Sequence, residues 1–363
     1  MKHHAFAGTR EDPHAQARQA RQLPLLLHSM SVFREVFELV FANREISTVV
    51  EVGVESGKVS GMYAELGASA VYCIDPKASD ELRANLAGNE ALHLVEGWSP
   101  EVLAEIPTAD LYVLDGDHNY ATVRDELAWV MSNAPDAVIV LHDVLWPCSR
   151  RDLYYDPSSV PAERKHAASV DGPTVWHDEL TAAGFVGLGA YTSACHAGGE
   201  LNGVLTAVED ALTDAETAGD GWLFELVPAV FGMGIMVRRG APDAQRLAAS
   251  VQTYSGSRLL ATMENNRLAL YTRVLQMQHE AVANAEGADQ LAETVSRQRH
   301  EIERLQAELA AADARREADL DALRAEVDRL NGLLGQRLRP RIAAVLWRLA
   351  KVAEPRVRRA LRR

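Results

Sequence analysis

From residue 48 to residue 141, short apolar runs alternate with segments of helical period, and this alternation constrains the fold more than any other feature of the chain. Residues 48–52, Thr-Val-Val-Glu-Val, read as a buried strand, and 70–74, 91–95, 111–114 and 137–141 repeat the pattern. Between them lie a helix running through Leu66, a helical piece at 82–86, and Tyr120, Val123, Leu127 and Val130 stepping by three and four. Strands joined by helices require crossovers, so the sheet is mainly parallel and doubly wound. Upstream, Leu26, Met30, Phe33, Phe37 and Val40 predict a leading helix over 25–43. Downstream, Val204, Leu205, Val208, Ala211 and Leu212 mark a further helix, and 222–227 with 232–237 read as a closing hairpin that ends the domain near residue 240.

The rest of the chain divides by composition. Residues 1–24 are polar and read as a flexible arm. Residues 144–200, rich in Pro, Ser, Gly, Tyr and His with one helical piece near 175–183, read as a substrate-covering insertion. A helical connector is expected over 241–289. Over 290–335, Ile302, Leu305, Leu309 and Ala312, then Leu320, Leu323, Val327, Leu330 and Leu334, keep heptad spacing across a stutter, which predicts a coiled coil and a homodimer. A single solvated helix is the alternative. Residues 336–363 carry ten Arg or Lys against one acid, so the net charge of −14 leaves −23 on the remainder. An acidic body of this kind speaks against nucleic acid as a partner. In the tail, Leu338, Ile342, Val345, Leu346, Leu349 and Val352 form one stripe with Trp347 beside it, bracketed by Pro340 and Pro355. Such a helix suits peripheral contact with an anionic membrane surface, or packing on a partner.

With 47% apolar and 24% charged residues the chain is neither disordered nor collagen-like. Three scattered cysteines and no CxxC pair point to a reducing, cytoplasmic compartment. No apolar stretch reaches the roughly 18 residues of a membrane span, and the run at 23–27 is too short for a secretory signal.

The chemistry concentrates at strand ends. Glu51-Val52-Gly53-Val54-Glu55-Ser56-Gly57 ends the first strand and opens a helix, where glycines admit a ligand to the backbone and free N–H groups face it. Asp75, closing the second strand, suits the two hydroxyls of a ribose. A nicotinamide cofactor calls for GxGxxG; here the pattern is ExGxxxG, with one glycine fewer and a leading acid. Asp115-Gly116-Asp117-His118-Asn119-Tyr120 ends the fourth strand and Leu141-His142-Asp143 the fifth, placing acids and imidazoles in one crevice. Such oxygen and nitrogen groups suit Mg²⁺ or another hard divalent ion.

These residues resemble the class I S-adenosylmethionine-dependent methyltransferases, and the LDGDHxY and LHD pair resembles their small-molecule and sugar O-methyltransferase branch, over about 25–240. The resemblance implies a Rossmann-like, seven-stranded sheet with a reversed last strand. It implies that Glu51, Gly53, Glu55, Ser56 and Gly57 line the methionyl side of the cofactor, that Asp75 binds its ribose, and that Trp98 and Ser99 pack around adenine, with Asp115 also in the cofactor site. It makes Asp115 and Asp143 metal ligands, with His142 standing where metal-binding members tend to have a second acid.

His118 is the candidate general base, since imidazoles titrate near neutrality, with Asp115 and Asp117 placed to orient its ring. Asp115 as a metal-assisted base is the competing assignment. Alternatively His118 starts the following helix and is held inert by hydrogen bonds, and His142 and Asp143 only cap their strand. The function expected is methyl transfer to a hydroxyl of a sugar, glycan or glycosylated small molecule. The alternatives are a coiled-coil scaffold on a methyltransferase fold and an NAD-dependent oxidoreductase.

Overall fold

The computed structural model describes residues 12, 14–22 and 30–360. A helix α1 (Ala15–Gln22) lies inside the segment expected to be a loose arm, and α2 (Arg34–Asn43) follows a 3-10 turn at Met30–Phe33. The first part of the expected leading helix, 25–29, lies outside the described residues. Then come β1 (Thr48–Val52), α3 (Gly61–Glu65), β2 (Ala70–Asp75), α4 (Asp80–Leu86), β3 (Leu92–Glu96), β4 (Leu111–Leu114), α5 (Tyr120–Asn133) and β5 (Val138–His142). Three short strands, β6 (Leu153–Tyr154), β7 (Ala168–Ser169) and β8 (Thr192–Ala194), precede α6 (Val204–Thr217). The order closes with β9 (Trp222–Val227), β10 (Met233–Arg238), α7 (Ala244–Ser255) and α8 (Arg258–Ala360).

Seven strands form one sheet in the order β3-β2-β1-β4-β5-β10-β9. Pairs from β3 through β5 are parallel, whereas β10 runs antiparallel to both β5 and β9, with Met233 opposite His142. Every residue of β4 and β5 is buried, as expected of strands covered on both faces, which explains why they read as continuous apolar runs. The chain steps outward from β1 to β3 and then returns to β4, so the order reverses between β1 and β4. In an open α/β sheet, the carboxyl ends of the strands at that reversal form the binding crevice.

Three sequence expectations change. Residues 175–183 form no helix: Gly172 and Thr181 exchange both backbone hydrogen bonds, at 3.0 and 2.9 Å, and pinch the segment into a loop with Trp176 exposed. Pro340 and Pro355 do not bracket a separate helix, because α8 runs through both; proline's fixed φ is compatible with a helix, although it removes one N–H and crowds the carbonyl four residues back. The compact unit does not stop near residue 240 but continues to Ala281. Its extension is held by α7, which packs on β9 and α2, by Arg44 forking onto Asp243 with both contacts at 2.6 Å, and by the first turns of α8.

The second unit is helical from residue 282 to Ala360. Its Ile302, Leu305, Leu309, Leu320, Leu323, Val327, Leu330 and Leu334 are exposed in the single chain. No helix among the described residues is long and apolar enough to cross a membrane.

Candidate active site

At the sheet's reversal lies a cavity of about 410 Å³. Gly53 lets its two walls meet. Its φ is +83°, and a Cβ there would sit 2.1 Å from the Asp115 carbonyl oxygen, so only glycine permits β1 and β4 to close at their ends. Asp75 enters from β2, already accepting from the backbone N–H of Lys77 at 2.8 Å and of Glu55 at 3.3 Å. These bonds fix its carboxylate at the cavity wall. Glu55 itself has a φ of +52°, a strained conformation for a non-glycine residue beside a site.

The floor is built by β4 and β5. His118 and His142 are both almost completely buried. Asp143, held at φ +56°, places Oδ2 3.3 Å from His118 Nε2 and 3.5 Å from His142 Nδ1. His142 Nδ1 also lies 3.0 Å from Asp115 Oδ1, and its Nε2 donates to the Val230 carbonyl at 2.9 Å. Burial alone would lower the pKa of His142, but Asp115 and Asp143 outweigh it and lift it to about 9.

The residues that face the cavity include Gly53, Glu55, Asp75, Trp98, Ser99, Asp115, His118, His142 and Asp143. Glu51, Ser56 and Gly57 are not among them. Glu51 is buried and accepts from the Ser60 hydroxyl, and burial lifts its pKa to about 7. Gly57 packs on Leu82 and Leu86. Asp115 and Asp117 do not orient the ring of His118. Asp117 accepts instead from backbone His118 and Tyr155 and from the Asn119 side chain, and Asp143 is the acid that faces the imidazole. The helix that follows is capped by Asn119, which accepts from Thr122 N–H at 2.9 Å, so His118 lies before the helix rather than starting it.

The segment 144–200 supplies Tyr155, Asp156, Gly187, Ala190 and Tyr191 to the cavity. The Tyr191 hydroxyl donates to that of Tyr155 at 2.8 Å, and both rings lie within 6 Å of the His118 ring. Asp152, fully buried, fastens this cover down: it accepts from Tyr120 N–H at 2.8 Å, Gly203 N–H at 2.7 Å and the Tyr154 hydroxyl at 2.8 Å.

Residues 50–144 match a family model described as a methyltransferase domain. That match runs from β1 past Asp143 and so contains the strand-end wall of the crevice, the ExGxxxG turn and both acid–histidine strand ends, but not the cover over it. Residues 50–144 thus form a methyltransferase domain. The chain is also similar to an O-methyltransferase from Bacillus cereus solved with SAH, at 12% identity, 62% of this chain, 88% of that one and a TM-score of 0.38. It is similar to the O-methyltransferase TomG from Streptomyces achromogenes solved with SAM, at 15% identity, 62% and 87% coverage and a TM-score of 0.37. The Podospora anserina methyltransferase PaMTH1 bound to SAH gives 13% identity, 62% and 86% coverage and a TM-score of 0.37. No curated protein matches the chain.

Within the compact unit, two residues escape a sequence reading. Glu264, on α8, accepts from Val230 N–H at 2.9 Å and Phe231 N–H at 2.8 Å, and Arg267 forks onto it with both contacts at 2.7 Å. It thereby restrains the turn whose carbonyl holds His142. Nothing local in the sequence signals a contact 34 residues away. Glu126 is the other, and a signal for it did exist: it interrupts the apolar stripe of Val123, Leu127 and Val130.

Proposed function

We propose that the chain transfers a methyl group to a hydroxyl of a sugar, glycan or glycosylated small molecule, with His118 as general base. The observation that carries this reading is the 3.3 Å approach of Asp143 to His118 Nε2 on the floor of the cavity that Gly53 and Asp75 also line. S-adenosylmethionine supplies the methyl on its sulfonium. Asp75 binds the ribose hydroxyls and Gly53 brings the backbone close to the methionyl end. Asp143 accepts Nε2–H from His118 and stabilises the imidazolium, which leaves Nδ1 as the basic nitrogen that takes the acceptor proton. Tyr155 and Tyr191 offer ring faces and hydroxyls to the acceptor and help exclude water. Holding both reactants in line supplies much of the acceleration.

The donor set also fits a divalent cation. Asp115 Oδ1, His142 Nδ1 and Asp143 Oδ2 lie within 4.8 Å of one another, and the Val230 carbonyl fixes the far side of the imidazole as ligand histidines require. These three would hold Mg²⁺, whose Lewis acidity lowers the pKa of a bound hydroxyl. The partners we assign are an acceptor of this class and a second copy through the coiled coil over 290–335. The basic segment 336–363 is assigned to the inner membrane surface, supported by its exposed Leu338, Ile342, Val345 and Trp347.

The test is turnover of labelled S-adenosylmethionine by the full chain against a panel of sugar hydroxyl acceptors. His118→Ala and Asp143→Ala should keep cofactor binding and lose transfer. Full transfer by both variants overturns the base assignment, and transfer confined to non-sugar acceptors overturns the substrate class.

A further inference from the structure

The cavity carries a large excess of acid. Among its lining residues seven are Asp or Glu, whereas Lys77 is the one Lys or Arg. Lys77 is already matched, since its Nζ lies 2.9 Å from Asp156. Asp75, and Glu126 beside Ser99, belong to the cofactor end. That leaves Glu55, Asp115, Asp117 and Asp143 toward His118. His142 lies 3.0 Å from Asp115 and 3.5 Å from Asp143, and it offsets one of these acids when protonated. A divalent cation in place of that proton would offset both. In either case Glu55 and Asp117 are matched by no cation that lines the cavity. S-adenosylmethionine brings only a single net positive charge, so an excess of negative charge survives its binding.

The wall that faces this excess is aromatic. The Tyr155 and Tyr191 ring centroids lie 4.5 Å apart with their planes at 46°, and they stand 5.7 and 5.8 Å from the His118 ring. Tyr155 is 51% exposed, so the corner opens at the mouth of the cavity. Burial pushes the pKa of the Tyr155 hydroxyl up, and the charges of Asp115, Asp143 and Glu55 push it further, which places all three within electrostatic reach of that ring. Tyrosine faces attract cations, and carboxylates converging on them deepen the same potential. An anion would meet repulsion from both.

We propose that the acceptor is a cation: a hydroxyl compound bearing a protonated amine, such as an amino sugar, with its ammonium on the Tyr155 and Tyr191 rings against Glu55 and its hydroxyl toward His118. This rests on the methyl-transfer reading and narrows it, because phosphorylated and carboxylated acceptors are rejected by charge. Glu55 becomes a specificity-determining residue.

The experiment is calorimetric titration of the full chain, saturated with S-adenosylhomocysteine, with two series of probes matched except in charge. One is phenyl glucoside, phenyl glucuronide, and the phenyl glucoside whose primary hydroxyl is replaced by an amine. The other is tyrosol, p-hydroxyphenylacetate and tyramine. In at least one series the amine should bind about tenfold tighter than its neutral partner. The acid of that series should bind about tenfold weaker than the neutral probe, or worse. E55Q should shrink the preference for the amine, and E55K should abolish it and improve binding of the acid. Glu55 is exposed, and a thermal melt of each variant checks that it folds. An acid that binds as well as its neutral partner, an amine preference unchanged in E55K, or failure of both amines to bind overturns the inference. Binding confined to the phenol series keeps the charge selection and removes the sugar class. If S-adenosylhomocysteine itself does not bind, the methyl-transfer reading and this inference fall together.

Discussion

Replacing Glu264 by Ala tests whether the helix beyond the methyltransferase sheet completes its active site. The change strands two buried N–H groups, Val230 at 2.9 Å and Phe231 at 2.8 Å, and frees the Arg267 fork. Each unpaired buried donor costs about 1–3 kcal/mol, so the pair costs about 4 kcal/mol. The turn is also strained, with Val230 at φ +43° and Phe231 at φ +64°, conformations that persist only while their surroundings enforce them. At roughly 2–4 °C per kcal/mol for a domain of this size, Tm should fall by about 10 °C at pH 7. Burial opposes ionisation of Glu264, but Arg267 and the two N–H groups hold its pKa below the usual glutamate range. Its contribution is therefore present above the ordinary glutamate pKa and is lost as pH falls through the depressed folded value, so the gap between variant and wild type narrows in acid. Differential scanning calorimetry of the full chain measures both effects. A Tm within about 2 °C of wild type at pH 7 would refute the reasoning, since the turn would then hold itself without α8.

Gly53→Ala should abolish cofactor binding, because its Cβ would lie 2.1 Å from the Asp115 carbonyl; retained binding by calorimetry would mean that β1 and β4 can part. Asp75→Ala should weaken S-adenosylmethionine binding by about tenfold or more through loss of charge-assisted bonds to ribose, and unchanged affinity would remove Asp75 from the site. Glu51→Gln should stabilise the fold at pH 8 by up to ~3 kcal/mol and do nothing at pH 4. Its folded pKa is raised to about 7, so the native state loses stability as pH rises from the ordinary glutamate value through 7, and equal melting gains at both pH values would contradict this. Mn²⁺ titration followed by electron paramagnetic resonance should report a site that Asp115→Ala and Asp143→Ala each remove; binding that survives both would place the cation elsewhere.

The parts of the fold legible in the sequence are those that local periodicity specifies. Buried parallel strands are apolar at every position, and a strand with nothing but Leu-Tyr-Val-Leu, such as β4, leaves no other reading once helices flank it. The crevice was legible for the same reason: strand ends are fixed by where the apolar run stops, and Asp75, Asp115 and His142 are where it stops. The loop at 175–183 was misread because spacing alone does not reveal a backbone bridge such as that between Gly172 and Thr181. Glu51 was assigned to the cofactor by resemblance, on the ExGxxxG turn; its buried side chain accepts from the Ser60 hydroxyl.

What escaped the sequence is partnership across long intervals. His118 was matched with the acids nearest in sequence, but sequence neighbours at the end of a strand point in different directions, and the acid that faces its ring, Asp143, arrives from the adjacent strand. The same rule governs the whole site. Asp75 comes from β2, His118 from the end of β4, Asp143 from β5, Tyr155 and Tyr191 from the cover, and Glu264 acts from α8 through Val230 on His142. Each piece is ordered by bonds to the next: Asp117 ties the β4 loop to Tyr155, Asp152 ties the cover to α5 and α6, and Glu264 ties the β9–β10 turn to the helix beyond. A cut at the end of β10, where the sequence alone would place the domain boundary, would keep every strand and remove the carboxylate that restrains the turn under His142. The unit that orders the candidate site is therefore the sheet together with the start of α8.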